Sequence, residues 1–545
     1  MGLVRTLLRP AAYVAGLHAL GQLRAFLRAH QRTRQVQDRL LGELLAAHAE
    51  TGFGRDHSFA RIRSYEDFRS AVPVRSYDGF APYVARVLEG ETAALLPPGE
   101  GVLMFSMTSG TTGQPKHIPV SGRFLRQMKR GWNMWGVAAL RDHPAGWLRP
   151  ILQISSPMRE STTPLGVPCG AISGLLARTQ KRIVRRMYVV PPAVAEIKDP
   201  AARNYAILRR GVARDVGLIT TANTSSTIRL IEAGQEHAER LLRDVEQGTF
   251  DPPGEVPEAV RKRLRFRPQP ALAGRMRDGL RRDGRLLPRH FWNVAFLSNW
   301  TGGTLQLYLP RLGELFGPVP VRDIGLLASE GRFTVPLVDG EPAGVAEITG
   351  NFLEFVPADQ RESARPDIVR ADELEIGREY FLIFSNWTGL WRYDLDDRVR
   401  VVRRLGQSPV LEFLSRGAST ASITGEKITE HQVVEAMRRA SAQEGLALQR
   451  FVVQGRFAAT PYYELRMDGA DAPRAEKLAL SMDRALADLN MEYRSKRTSG
   501  RLGPIKPILL PHGAMERAET ESLALRRGRG EQYKHQYLLA DVIRE

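Results

Sequence analysis

Apolar side chains change their period along this chain, and each change marks an element. The apolar stretch Pro10 to Leu23 ends at Arg24. Its helical spacing continues through Leu27, Val36, Leu40, Leu44 and Leu45 and stops near Gly52. This spacing predicts an amphipathic helix packed on a domain, with peripheral membrane contact of the N-terminal helix as the alternative. Arg5 and Arg9 ahead of it imitate a signal sequence, but the helical pattern runs on beyond it. About 20 apolar residues are needed to cross a bilayer, and this stretch is shorter and carries His18. No transmembrane segment is expected.

Further along, strand-like runs alternate with helical ones. Ile151 to Ile154, Arg186 to Val190 and Gly217 to Thr220 read as strands, and Thr227 to Gln247 reads as one helix on Ile228, Ile231, Leu241, Leu242 and Val245. Such alternation favours a large α/β domain. From Asn351 to Arg404 the pattern becomes hairpin-rich, with Tyr380 to Phe384, a turn at Asn386 to Gly389, and Val399 to Val401. Beyond Arg416 come a helix (Glu430 to Glu444), a strand pair (Arg450 to Val453, Tyr462 to Met467) and a second helix (Ala475 to Leu489). The expected class is α/β: a large N-terminal domain, 1–415, with a β-rich portion, and a small mobile α+β domain, 416–545. The Ser/Thr/Gly-rich stretch Ser415 to Ser422 suits a hinge.

Composition narrows the class without naming a function. The 545 residues are 43% hydrophobic and 25% charged, which excludes collagen-like and disordered chains. Cys169 is the only cysteine, so the chain has no internal disulfide and no multi-thiolate zinc site, and a reducing, cytoplasmic setting fits. The net charge is +18, carried by 68 arginines and ten lysines against 60 acidic residues. Charge of this sign admits nucleic acid, an anionic membrane or a polyphosphate as partner, and says nothing of fold.

One segment carries sharper chemistry. Phe105-Ser-Met-Thr108-Ser109-Gly110-Thr111-Thr112-Gly113-Gln-Pro-Lys116 packs five hydroxyls and two glycines ahead of a lysine. Glycines let backbone N–H groups approach an anion, hydroxyls add donors, and a lysine adds a point charge. The loop therefore suits phosphate. It is not a Walker A loop, because Pro115 precedes the lysine and His117 follows it.

This string matches the AMP-binding signature of adenylate-forming enzymes, and two further segments resemble that superfamily's other motifs. They are Ala328-Ser329-Glu330-Gly331, which alone reads as a helix N-terminus with an acidic first turn, and Trp391-Arg-Tyr-Asp-Leu-Asp396-Asp397. Thr424 to Glu430, Leu489 to Arg494, Arg501 to Pro504, Gln532-Tyr533-Lys534 and the early Gly52 to His57 narrow the likeness. Together they resemble the auxin-responsive promoter family of acyl acid–amido synthetases, including its bacterial members, over nearly the whole chain.

The resemblance implies adenylate-forming architecture and a two-step ligase. ATP and a carboxylic acid give acyl-AMP and pyrophosphate, and the amine of an amino acid then displaces AMP to form an amide. It implies a phosphate cradle at Thr108, Ser109, Gly110, Thr111, Thr112 and Gly113, with Lys116 and Ser329 beside it. Glu330 would hold Mg²⁺, Asp397 the ribose, and Arg416 the nucleotide near the hinge. Lys534 would swing in during adenylation. Two positions depart from the family. Leu326 stands where an aromatic commonly stacks on adenine, and Asp396 stands where a glycine usually precedes the ribose aspartate, so the role falls to Asp397 or is shared. An acyl–coenzyme A or carrier-thiol ligase and a catalytically silent relative remain as alternatives. A monomer is expected.

The remaining candidates read blandly. His57, His117, His290 and His431 lack metal-like spacing and are expected at the surface or as caps. Trp132, Trp135 and Trp147 read as core ahead of pocket wall, and Cys169 as a buried small hydrophobe. The basic run Arg494 to Arg501, with Arg526, Arg527 and Arg529, lacks the interleaved aromatics of a nucleic-acid platform, so no nucleic acid partner is expected.

Overall fold

The computed structural model describes residues 17, 19–108, 116–180, 182–417, 420–424, 426, 428–446, 448, 450–458, 460–469, 471–499, 501–525 and 535–544. It is a mixed α/β chain in two compact units, one of Met1–Trp300 with Pro318–Phe413, the other of Thr301–Gly317 with Leu414–Glu545. Residues 301–317, a segment outside the expected 416–545, group with the second unit.

In the first unit the expected N-terminal helix is present, interrupted by a 3-10 turn at His30–Arg32 before Thr33–His48. Its buried stripe is Leu23, Phe26, His30, Thr33, Gln37, Leu40, Leu44 and His48, at steps of three or four. The polar members of that stripe are paired. His30 Nδ1 and Thr33 Oγ1 meet Ser408 Oγ at 2.7 and 2.6 Å. Gln37 Nε2 donates to the Ile348 and Asn351 carbonyls, and Gln37 Oε1 accepts from Leu353 N–H. The described part of the helix is therefore fixed to the protein's own sheet by its inner face.

Four parallel strands, Ile151–Gln153, Leu218–Asn223, Phe296–Trp300 and Val321–Asp323, form one sheet in that order. Two sequence readings fail here. The segment read as the strand Arg186 to Val190 is the end of a helix, Arg182–Met187, and only Tyr188 bridges to Ile151. Ile183, Val184 and Met187 already have helical spacing. The helix read as Thr227 to Gln247 is two, Thr224–Glu236 and Ala238–Gln247. Asn223 caps the first by accepting from Ser225 N–H, and His237 ends it. The ten-residue gap from Ile231 to Leu241 is where one apolar stripe gives way to another.

A seven-stranded antiparallel sheet runs in the order Thr334–Val335, Ala343–Ala346, Ser408–Arg416, Tyr393–Leu405, Glu379–Asn386, Asn351–Pro357, Val369–Arg370. Its apolar face meets the N-terminal helices over Phe53, Phe68, Phe352, Phe384 and Trp391. In the second unit, helices Glu430–Glu444 and Ala472–Leu489 cover a sheet ordered Lys506–Leu510, Tyr462–Asp468, Phe451–Phe457, Leu538–Arg544. Val433, Met437, Leu478, Met482 and Leu465 form its core, joined by Leu307. Among the described residues no helix is long and apolar enough to cross a membrane.

Candidate active site

The hydroxyl-rich loop is held by its two ends. Val102–Thr108 pairs antiparallel with Lys116–Ser121, from Val102 opposite Ser121 to Thr108 opposite Lys116. Pro168–Gly170 pairs parallel on the other edge of the first strand, which is why Met104, Phe105, Ser106 and Met107 are all buried. Of the expected cradle, Ser109, Gly110, Thr111, Thr112 and Gly113 lie outside the described residues, as does Lys534; Thr108 is placed as the last residue of its strand. Lys116 is half-buried, its Nζ 5.4 Å from the centre of the Tyr77 ring. Tyr77 Oη fixes the returning strand by donating to the His117 carbonyl at 3.2 Å and accepting its N–H at 2.8 Å. Burial pushes the Tyr77 pKa up, and the nearby Glu330 charge adds to that rise.

Glu330 is at the tip of a hairpin, not at the helix N-terminus that its sequence alone suggested. Leu327–Ala328 pairs with Gly331–Arg332, so Ser329 and Glu330 form a two-residue turn. Two asparagines fasten it. Asn386 Nδ2 donates to the Glu330 carbonyl at 2.8 Å, and Asn351 Nδ2 donates to the Arg332 carbonyl at 2.6 Å. A Cβ at Gly331 would lie 3.1 Å from Asn351 Oδ1 and 3.2 Å from Asn386 Nδ2, so a larger residue there would press on both fastening amides. The Glu330 side chain is buried, and among the described residues its Oε1 has no hydrogen-bond partner. A buried carboxylate oxygen without a partner is costly on its own and well suited to a cation. Among the described residues no group of three or more His, Cys, Asp or Glu could hold a metal.

The two aspartates separate. Along Tyr393–Leu405, residues 393, 395, 397, 399 and 401 point inward while their neighbours are partly exposed. Asp397 is buried on the inward side, and Asp396 binds Arg361 Nη2 at 2.8 Å on the outward side. Asp396 also has φ +63°. That is the left-handed region glycine occupies freely, and aspartate is one of the few other residues that tolerate it. The register of this strand shifts between Phe381–Arg398 and Ile383–Asp394, so residues 395–397 bulge opposite Leu382. Leu326 is buried in the core beside Phe333, its N–H bonded to Thr334 Oγ1. Arg416 ends its strand in the second unit, with its side chain exposed.

Tyr77, Asn351, Asn386 and Arg332 were not singled out in the sequence as site residues. Arg332 is buried with Nη1 on the Ile324 and Thr334 carbonyls and its guanidinium 4.3 Å from the Trp132 ring. Burial pulls its pKa down to about 10, opposed by the charges of Glu347 and Asp323. Trp135 is core, its Nε1 donating to the Asp323 carbonyl. His290 is buried rather than superficial and is a cap, its Nδ1 accepting from Leu287 N–H at 3.1 Å while Nε2 lies on Asp283 at 2.5 Å.

Comparison with known proteins gives a consistent picture. The GH3 family N-terminal domain matches residues 22–321, the GH3 family central domain 345–416 and the GH3 family C-terminal domain 431–542. Indole-3-acetic acid-amido synthetase GH3.8 of Oryza sativa subsp. indica is 26% identical over 547 residues, covering 92% of this chain and 87% of its own. Jasmonoyl-L-amino acid synthetase GH3.5 of Oryza sativa subsp. japonica is 25% identical, covering 90% of each. In fold, the chain is similar to the AtGH3.15 acyl acid amido synthetase in complex with 2,4-DB, with a TM-score of 0.83 at 19% identity over 96% of this chain and 94% of that one. It is also similar to a 2-hydroxyisobutyryl-CoA ligase in the postadenylation state, with a TM-score of 0.56 at 12% identity over 94% and 90%.

Proposed function

The chain belongs to the GH3 family, and from that premise we propose that it is an ATP-dependent acyl acid–amido synthetase. The observation that carries the reading is the buried Glu330, whose Oε1 has no partner among the described residues, close enough to act on Tyr77, which itself fixes the strand leaving the hydroxyl-rich loop. A buried carboxylate oxygen without a partner among the described residues, near the tyrosine that fixes the strand following the hydroxyl-rich loop, is an arrangement that a cation-bridged polyphosphate would complete.

The reaction proceeds in two balanced steps. A carboxylate oxygen attacks the α-phosphorus of ATP, forming the acyl–AMP bond and releasing pyrophosphate. The amine of an amino acid then attacks the acyl carbon, the C–O bond to AMP breaks, and the amine loses a proton as the amide forms. The first step is needed because a carboxylate resists nucleophiles, and AMP is a good leaving group. Thr108 to Gly113 supply donors to the phosphates, Lys116 adds positive charge, and Ser329 adds a hydroxyl at the hairpin turn. Asp397, buried on the inward side of its strand, accepts from the ribose hydroxyls. Mg²⁺ held by Glu330 would supply charge neutralisation on the phosphates. Arg416 and Lys534 belong to a lid, 416–545, that meets the nucleotide. The relatives named for indole-3-acetic acid and jasmonoyl conjugation support a carboxylic acid and an amino acid as substrates. The single cysteine, buried, supports a cytoplasmic setting.

Exchange of labelled pyrophosphate into ATP across aryl, indolic and fatty acids tests the first step. Product mass with mixed amino acids or with coenzyme A tests the second. Acid-dependent exchange with an amide product is expected. No exchange with any acid, together with no nucleotide binding, overturns the reading, and a thioester product reassigns it to a thiol ligase.

A further inference from the structure

A groove of about 500 Å³ lies on the first unit between the helix Thr33–His48 and the segment 59–66. None of its lining residues belongs to the candidate site. Its floor is apolar, made by Leu41, Leu45, Phe59 and Ile62, and its polar groups carry both signs, Asp38 and Glu66 against Arg63 and Arg370.

Arg370 is the unusual member. Its side chain is 6% exposed, and its guanidinium lies 4.8 Å from the Tyr65 ring and 5.6 Å from that of Phe352. Of its three guanidinium nitrogens, only Nη2 has a hydrogen-bond partner among the described residues, and that partner, Asp38, is half in solvent. A buried planar cation packed against two neighbouring aromatic rings, with a donor to spare, suits a carboxylate. Glu66 stands exposed at the rim, and with Asp38 gives the groove acceptors for a cation.

Gly42 supplies a second observation. It lies in mid-helix, lines the groove, and a Cβ there would meet nothing within 4 Å. Glycine inside a helix costs about 1 kcal/mol against alanine. Packing does not demand it here, and its effect is to keep the groove open.

We propose that this groove binds a free α-amino acid with an aliphatic side chain, its carboxylate on Arg370, its ammonium on Asp38 or Glu66, and its side chain on Leu41, Leu45 and Ile62. Apolar floor, buried cation and rim carboxylates match the three parts of that ligand and no simpler one. The site is independent of the reaction proposed above.

Calorimetric titration of the full chain without nucleotide tests it, with L-leucine, 4-methylpentanoate and 3-methylbutylamine as probes. One equivalent of L-leucine should bind saturably, and the acid and the amine should each bind at least tenfold more weakly. Arg370→Gln should weaken L-leucine at least tenfold. Gly42→Leu, which fills the groove without touching a buried group and favours the helix, should abolish binding with an unchanged or higher Tm. Asp397→Asn should leave it unaffected, which separates the groove from any acceptor site beside the nucleotide. Absence of L-leucine binding overturns the proposal, as does binding that survives Gly42→Leu, or 4-methylpentanoate binding as tightly as L-leucine.

Discussion

Glu330 and Asp397 make opposite demands on a substitution, and that difference is measurable. The Glu330 carboxylate has a buried oxygen without a partner among the described residues, so neutralising it removes a cost of folding. Glu330→Gln should leave Tm unchanged or higher while pyrophosphate exchange falls by about 10² or more, the scale of losing one charge-stabilising group. A fall in both would make Glu330 structural. The adjacent aspartates allow an equally direct contrast. Asp396→Gly places glycine where φ is +63° and removes the outward contact to Arg361, so exchange should stay within a few-fold of the parent. Asp397→Asn should raise the KM for ATP at least tenfold. The reverse result would move the ribose contact to Asp396. The sequence left this choice open, yet strand alternation alone places 397 with Leu395, Val399 and Val401, all buried.

The N-terminal helix shows how far a periodic pattern carries and where it stops. Leu40, Leu44 and Leu45 fix its face from the sequence, but His30, Thr33, Gln37 and His48 occupy the same buried stripe because their partners lie more than 300 residues away on the antiparallel sheet or on the helix itself. No local rule reveals a bond to Ser408. The Glu330 hairpin fails to be legible for the same reason, since Asn351 and Asn386, which hold it, are distant in sequence. The two histidines also make the element sensitive to acid. Burial lowers the pKa of His30 and of His48 from 6.5 to about 4, and Nε2 of each lacks a partner among the described residues. The unfolded chain therefore takes up protons that the folded chain refuses between those values. Stability is full above about 6.5 and declines as pH falls toward 4, by up to about 3 kcal/mol for each histidine. Urea unfolding of the parent and of His30→Gln over that range should show a shallower decline in the variant; identical slopes would rule out His30 as a source.

At the scale of the whole molecule, the motif order was legible because each motif is contiguous, whereas the grouping of 301–317 with 414–545 was not, because only tertiary contacts bring them together. The charge of +18 is similarly opaque, as most of its arginines have no place in the proposed chemistry. The proposed division of labour nonetheless makes one sharp demand. Thr108, Lys116, Glu330 and Asp397 belong to the first unit, whereas Lys534 belongs to the second. If a lid carries the lysine to the phosphates only for adenylation, ATP should bind to the first unit's groups without it. Lys534→Ala should then lower pyrophosphate exchange by 10² or more while the Kd for ATP changes less than threefold, and the second step, started from supplied acyl-AMP and amino acid, should run near the parent rate. A lysine fixed in the nucleotide site would give another result, with affinity and both steps declining together. The ratio of the two half-reaction rates, more than either alone, distinguishes a travelling cation from a resident one.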